Sequence, residues 1–195
     1  MKKMLLILAL AMISFANAQK GTILVMGNVT YSSQNLSVSN LETKSHNFAF
    51  SPKVGYQFHE NWTAGVESAF SNSKQNSVFA ESKATDFSIG GFLRYSKPIS
   101  ETFAAYADLG AGYQKRKSTN ATDIGMSETE GNGFYIGITP AIFINVSKGF
   151  GLNFNIGGLG YNTLNIDGEN VDGNKVKNFE VSFGKAFSVG ISKNF

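Results

Sequence analysis

Apolar residues alternate with small or polar ones along most of this chain. In the stretch 179–195 the odd positions carry Phe179, Val181, Phe183, Phe187, Val189, Ile191 and Phe195, with Lys185 and Lys193 interrupting, while the even positions carry Glu180, Ser182, Gly184, Ala186, Ser188, Gly190, Ser192 and Asn194. Successive side chains of a strand point to opposite faces, so the pattern predicts one long ribbon with an aromatic face and a small, polar face. The same period of two predicts seven earlier ribbons, at 23–31, 47–58, 62–71, 86–96, 103–114, 133–146 and 150–161. The first of these is the least clean, because Leu24 and Met26 share its second face with Asn28 and Thr30.

The links between ribbons alternate in length. Those around Glu60, Ile99 and Lys148 are short, whereas 33–45, 72–84, 115–131 and 162–177 are longer and polar. Long loops therefore gather at one end. An all-β, eight-stranded antiparallel up-and-down transmembrane β-barrel has this layout, with short periplasmic turns and longer exterior loops.

Register follows from the first short turn. With His59, Glu60 and Asn61 as the turn, Phe58 faces Trp62 and Lys53 stands opposite Glu67. A charge pair directly across two strands, on the face that lacks aromatics, marks the interior of a narrow barrel where charges must be compensated. Arg94 and Asp108 join this lumen network through Tyr106, the turn near Pro98 leaving their register open by two residues. The aromatic face concentrates rings at strand ends. Phe58, Trp62, Tyr95, Phe103 and Phe150 flank the short turns, with Phe195, and Tyr31, Phe70 and Tyr113 lie toward the other rim, which is a two-belt pattern.

A soluble, lipocalin-like ligand carrier is the competing architecture, with the aromatic face turned inward. Its outer face would then be rich in charge. Here that face is mostly Gly, Ala, Ser, Asn and Thr, which fits a crowded lumen better than a solvated surface. Lys193 fits the periplasmic headgroups. Lys185, roughly 25 Å higher on a strand tilted near 40°, fits the outer ones by snorkelling. A bulge near Gly184 is the alternative.

Residues 1–18 read as a secretory signal peptide. Lys2 and Lys3 precede the apolar run 4–15, and Ala16-Asn17-Ala18 supplies the cleavage site, leaving 19–195 as the barrel domain. Without Lys2 and Lys3 the 17 basic residues fall to within one of the 14 acidic ones, so the exported chain is nearly neutral and no nucleic-acid footprint remains. With no Cys in an exported chain, packing and hydrogen bonds carry its stability. No further stretch reaches the length of a helical span.

These features together resemble the small outer-membrane β-barrel family of OmpX and OmpA-domain type. The signal peptide, the amphipathic ribbons, the inward Lys53 and Glu67, the segment Gly90-Gly91-Phe92-Leu93-Arg94-Tyr95 and the terminal Phe195 carry the resemblance over the whole exported chain. It implies a monomer among outer-membrane lipids of a diderm bacterium. It also implies that Phe195, with the alternate residues Ile191, Val189 and Phe187, is the signal read by the barrel-assembly machinery.

The chemistry of the chain is sparse. Eight strands leave room for side chains only, and Phe92, Tyr106, Tyr135, Phe143 and Tyr161 are placed to fill the lumen. His46 and His59 lie about 40 Å apart along one ribbon and share no site. A lipid-modifying enzyme would need His46 beside Ser45 with an acid, and no completing residues are identifiable. The segment 167–173 faintly resembles a calcium loop without its ligand spacing, and its Asp-Gly pairs read as turns. Lys115-Arg116-Lys117 could contact lipid phosphates or form a solvated loop base. The expectation is a non-enzymatic barrel without metal or cofactor. Its side chains fill the lumen, and the segments 33–45, 72–84, 115–131 and 162–177 act in envelope integrity or meet a surface ligand.

Overall fold

The computed structural model describes residues 21–38, 41–122, 125–168 and 171–195; the side chains of 38, 41, 171, 172 and 185–188 stand outside that description, as do residues 1–20, on which the expected signal peptide falls. Eight strands close in chain order into an antiparallel barrel. They are β1 (Ile23–Val38), β2 (Leu41–His59), β3 (Trp62–Asn76), β4 (Ala80–Pro98), β5 (Phe103–Thr122), β6 (Gly125–Ser147), β7 (Phe150–Gly168) and β8 (Val171–Asn194). Among the described residues no helix is long and apolar enough to cross a membrane. A closed ladder satisfies every backbone donor and acceptor between strands, so strands can make the crossing instead.

Alternation sets the two faces. Val54, Val66, Ile89, Leu109, Ile136, Ile138 and Ile191 project from the wall, with the belt rings above and below them. Leu24 and Met26 settle the ambiguous first strand by facing inward, where both are buried against Phe92.

The segments 33–45, 72–84, 115–131 and 162–177 are not free loops. Pairing continues to Val38↔Leu41, Asn76↔Glu81, Thr122↔Gly125 and Gly168↔Val171, so each is the end of a tall hairpin. Beyond the bilayer both faces of a ribbon meet water and both can be polar. The apolar alternation that marks a strand is lost there although the ladder persists.

Two bulges shift the expected register. Lys53 pairs with Glu67 as expected, but Trp62 pairs with His59, and Phe58 occupies an irregularity between Gln57 and His59. The turn is one residue tighter than the sequence implied, and Phe58 does not face Trp62. Farther round, β6 and β7 slip between Ile138 and Ala141. Gly157, at φ 132°, takes up that slip, and Tyr161 consequently joins Ile136 and Phe179 on the outer face rather than filling the lumen.

The closing ribbon is broken. Gly157 pairs with Phe183 and Asn155 with Ser188, so β8 spends more residues than β7 between these rungs, starting at Gly184 with φ 70°. The side chains of Lys185 and Phe187 fall in this excursion and outside the description. Below it, β8 closes on β1 through Leu24↔Asn194 to Gly27↔Ile191, and Ile23 and Phe195 exchange backbone hydrogen bonds of 3.2 and 3.0 Å.

Candidate functional site: the lumen charge cluster and outer rim

Arg94 on β4 and Asp108 on β5 are directly opposite each other and both face inward. The Arg94 guanidinium donates from Nε to Asp108 Oδ1 at 2.7 Å and from Nη2 to Oδ2 at 2.9 Å, a two-pronged pair suited to a planar donor and a carboxylate. Lys53 Nζ lies 3.0 Å from Asp108 Oδ2 and 2.7 Å from Glu67 Oε2, so one ammonium joins both carboxylates. Tyr135 donates its hydroxyl to Glu67 Oε1 at 2.8 Å. Two cations and two anions thus form one compensated chain across four strands.

Apolar groups seal its lower side. Arg94 lies over the Tyr106 ring at 3.7 Å and near Phe92 at 5.9 Å, and Lys53 stands 5.2 Å from the Phe92 ring. Arg94 also donates to Met26 Sδ at 3.1 Å. Arg94, Asp108, Phe92 and Tyr106 are all buried, so both charges depend on each other for solvation. Glycine makes the space. A Cβ on Gly55 would meet Phe92 at 2.9 Å, and one on Gly110 would collide with the Glu67 carboxylate.

The lumen is therefore filled only toward the short turns. Above the cluster lies a cavity of about 340 Å³ bordered by Lys53, Glu67, Asp108, Tyr135, Glu180 and Ser182. Higher still, about 460 Å³ is bordered by Ser51, Ser71, Ser88, Gln114 and Asn178, with Asp86 and Arg116. The expectation of a lumen filled throughout is corrected by these two spaces. Gly110, Gly137, Gly158 and Gly160 border the lower space and bring no side chain into it.

The eight belt residues all present their rings outward. Trp62 and Tyr95 are cross-strand partners whose ring centres lie 5.0 Å apart, and Tyr113 meets Phe134 edge-on at 6.0 Å. Val189, Ile191 and Phe195 stand at the closing seam, with Val189 and Ile191 facing out and Lys193 Nζ 5.7 Å from the Phe195 ring. Lys193 also donates to the Lys148 carbonyl across the turn.

At the outer rim Lys115 pairs with Glu130 at 2.8 Å, and Lys117 pairs with Glu128. The Glu130 hydrogen bond raises the Lys115 pKa, and the Glu128 hydrogen bond raises that of Lys117. Reciprocally, Lys115 holds the Glu130 carboxyl below its ordinary value. Arg116 turns inward to Asp86, so Lys115-Arg116-Lys117 is split between two faces and each member has its own anion. His46 and Ser45 are consecutive on β2 and alternate between the outer and lumen faces, so they do not form a hydroxyl–imidazole pair. Asp167 accepts the Gly173 amide at 3.4 Å, a local turn contact.

Lys53, Glu67, Arg94 and Asp108 are legible as lumen residues in the sequence, whereas Met26, Glu180 and the Asp86–Arg116 pair emerge only in the structure. Inward position on β8 was the available signal for Glu180, and adjacency to the polar hairpins concealed Asp86.

A closed ring of strands with an apolar outer wall and a charge-compensated interior defines an outer-membrane β-barrel protein. The chain belongs to the outer membrane protein beta-barrel domain family, whose model matches residues 4–191, and the protein resides in the outer membrane. Its fold is similar to that of a major outer membrane protein from Thermus thermophilus, with a TM-score of 0.54 and 9% identity over 90% of this chain and 99% of that one. Ail, the attachment invasion locus protein of Yersinia pestis, gives a TM-score of 0.44 and 17% identity, covering 90% of this chain and 97% of that one. OprG from Pseudomonas aeruginosa gives 0.47 and 14%, covering 90% and 96%. A search of curated proteins finds no match.

Proposed function

We propose that the protein is a monomeric, non-enzymatic barrel that contributes to envelope integrity and presents its tall hairpins as a surface for interaction. The observation that carries this reading is the cluster of Arg94, Asp108, Lys53 and Glu67 set above buried Phe92 and Tyr106, which obstructs the lumen on the periplasmic side. Neither transport through the barrel nor catalysis within it is favoured by that arrangement. The opposed faces of Ser45 and His46 weigh against a lipid-modifying site. The four hairpins then remain as the large polar surfaces directed to the exterior.

In the same reading residues 1–18 direct export and are removed, the belt residues seat the barrel at the two interfaces, and Phe195 with Ile191, Val189 and Phe187 engages the barrel-assembly machinery. The test is trimming the hairpins one at a time while keeping the span. Cells with the trimmed protein should become more permeable to detergent or lose surface binding, with lipid A mass spectra the same in the presence and absence of the gene. Unchanged envelopes together with altered lipid A would reverse the reading in favour of an enzyme.

A further inference from the structure

Three outward positions on neighbouring strands form one row: His46 on β2 pairs with Lys74 on β3, and Lys74 pairs with Lys83 on β4. Like charges set directly opposite on one face of a sheet destabilise it. A single carboxylate serves both lysines, Glu81, with Oε1 at 2.6 Å from Lys83 and Oε2 at 3.4 Å from Lys74. The contrast with β5 and β6 is direct, because there Lys115 and Lys117 meet Glu130 and Glu128. Lys44, the next outward position on β2, is matched by Glu42 at 3.3 Å. On β3 and β4 two lysines thus share one carboxylate, which leaves a positive excess on this part of the rim.

Height gives this excess its meaning. Lys74 is about a dozen residues above Trp62 along β3, and Lys83 is about a dozen above Tyr95 along β4. At about 3.3 Å per residue and a tilt near 40° each ammonium stands roughly 30 Å above the inner belt, just clear of an apolar band about 25 Å tall. Phe70 and Phe87, cross-strand partners, lie on the same outer face two outward rungs lower, beneath the hydrogen-bonded Asn72 and Thr85. This is the level at which a lipid carries its phosphates, with acyl chains beneath them against the rings.

We propose that Lys74 and Lys83, with His46 beside them, form a docking surface for the phosphate groups of an outer-leaflet lipid whose acyl chains lie along Phe70 and Phe87. The lysines supply point charges to the phosphate, and the rings below supply apolar contact that free phosphate cannot use. Glu81 holds the two ammonium groups on one side of the sheet. The Lys115-Arg116-Lys117 run is less suited, since each of its cations is already neutralised.

The test is native mass spectrometry of the folded barrel in detergent with diphosphorylated lipid A, with the same lipid stripped of phosphate, and with inorganic phosphate as competitor. Wild type should retain the phosphorylated lipid and release the stripped one. The Lys74→Gln/Lys83→Gln variant should retain it at least about tenfold more weakly. Lys74→Arg/Lys83→Arg should keep retention, as should Lys97→Gln at the opposite rim, and heat-modifiable gel mobility checks that every variant is folded. Equal retention of stripped and phosphorylated lipid, retention unchanged in the glutamine variant, or full displacement by millimolar inorganic phosphate would each overturn the proposal.

Discussion

Arg94 faces Asp108 across β4 and β5 and donates two hydrogen bonds, of 2.7 and 2.9 Å, to its carboxylate inside the barrel. Breaking a buried pair on one side leaves an unsolvated charge on the other. Arg94→Met alone, or Asp108→Leu alone, should destabilise the barrel by about 3–5 kcal/mol. The combined Arg94→Met/Asp108→Leu variant should recover most of that loss, since an apolar pair of similar volume carries no desolvation penalty. Urea unfolding in lipid vesicles, analysed as a double-mutant cycle, measures both.

Gly110 sits where a side chain would strike Glu67. Gly110→Ala should push the carboxylate off Lys53 and Tyr135 and destabilise by about 1–3 kcal/mol. Adding Glu67→Ala should relieve the clash, leaving the double variant more stable than the sum of the two losses. Unfolding midpoints of the two single variants and the double variant check this coupling.

The strands and their order were legible in the sequence because a bilayer imposes opposite requirements on the two faces of each ribbon. Lys53 opposite Glu67 was legible for the same reason, being the charged exception on an otherwise small face. Tyr161 lies on the face opposite to the one its strand's alternation predicts, because the slip absorbed at Gly157 reverses its face without altering the local alternation. Phe58 was misplaced by a similar irregularity near His59. The upper hairpins were hidden because a ladder standing in water places no demand on which residues are apolar. The open upper lumen is a sum over eight strands, and no single strand records it.

Acid and base should loosen the outer hairpins in predictable directions. Lys115 holds the Glu130 carboxyl low, so its stabilisation is present above the ordinary carboxylate pKa and disappears as pH falls through the lowered value. Glu130 and Glu128 raise the Lys115 and Lys117 pKa values, so their contribution is present below the ordinary lysine pKa and disappears as pH rises through the raised values. These side chains are exposed and the effect is confined to local fraying. Amide exchange, corrected for the intrinsic pH dependence, should show protection of 115–117 and 128–130 greatest near neutrality and reduced at both extremes. Protection that continued to rise below the carboxylate range would contradict the assignment.

Phe195 exchanges backbone hydrogen bonds with Ile23 at the closing seam, and these survive a change of side chain. Phe195→Ala should therefore fold into vesicles from urea nearly as well as wild type, yet accumulate in the outer membrane severalfold more slowly in cells. Pulse-chase recovery of heat-modifiable protein separates the two effects. A variant that failed equally in both settings would assign Phe195 a structural role in place of a recognition role.

The obstruction formed by Arg94, Asp108, Lys53 and Glu67 over Phe92 and Tyr106 is tested most directly by conductance. Wild-type protein reconstituted into a planar lipid bilayer in molar salt should give no stable single-channel steps above the bare membrane. Reproducible, long-lived steps from the folded wild-type barrel would contradict a sealed lumen.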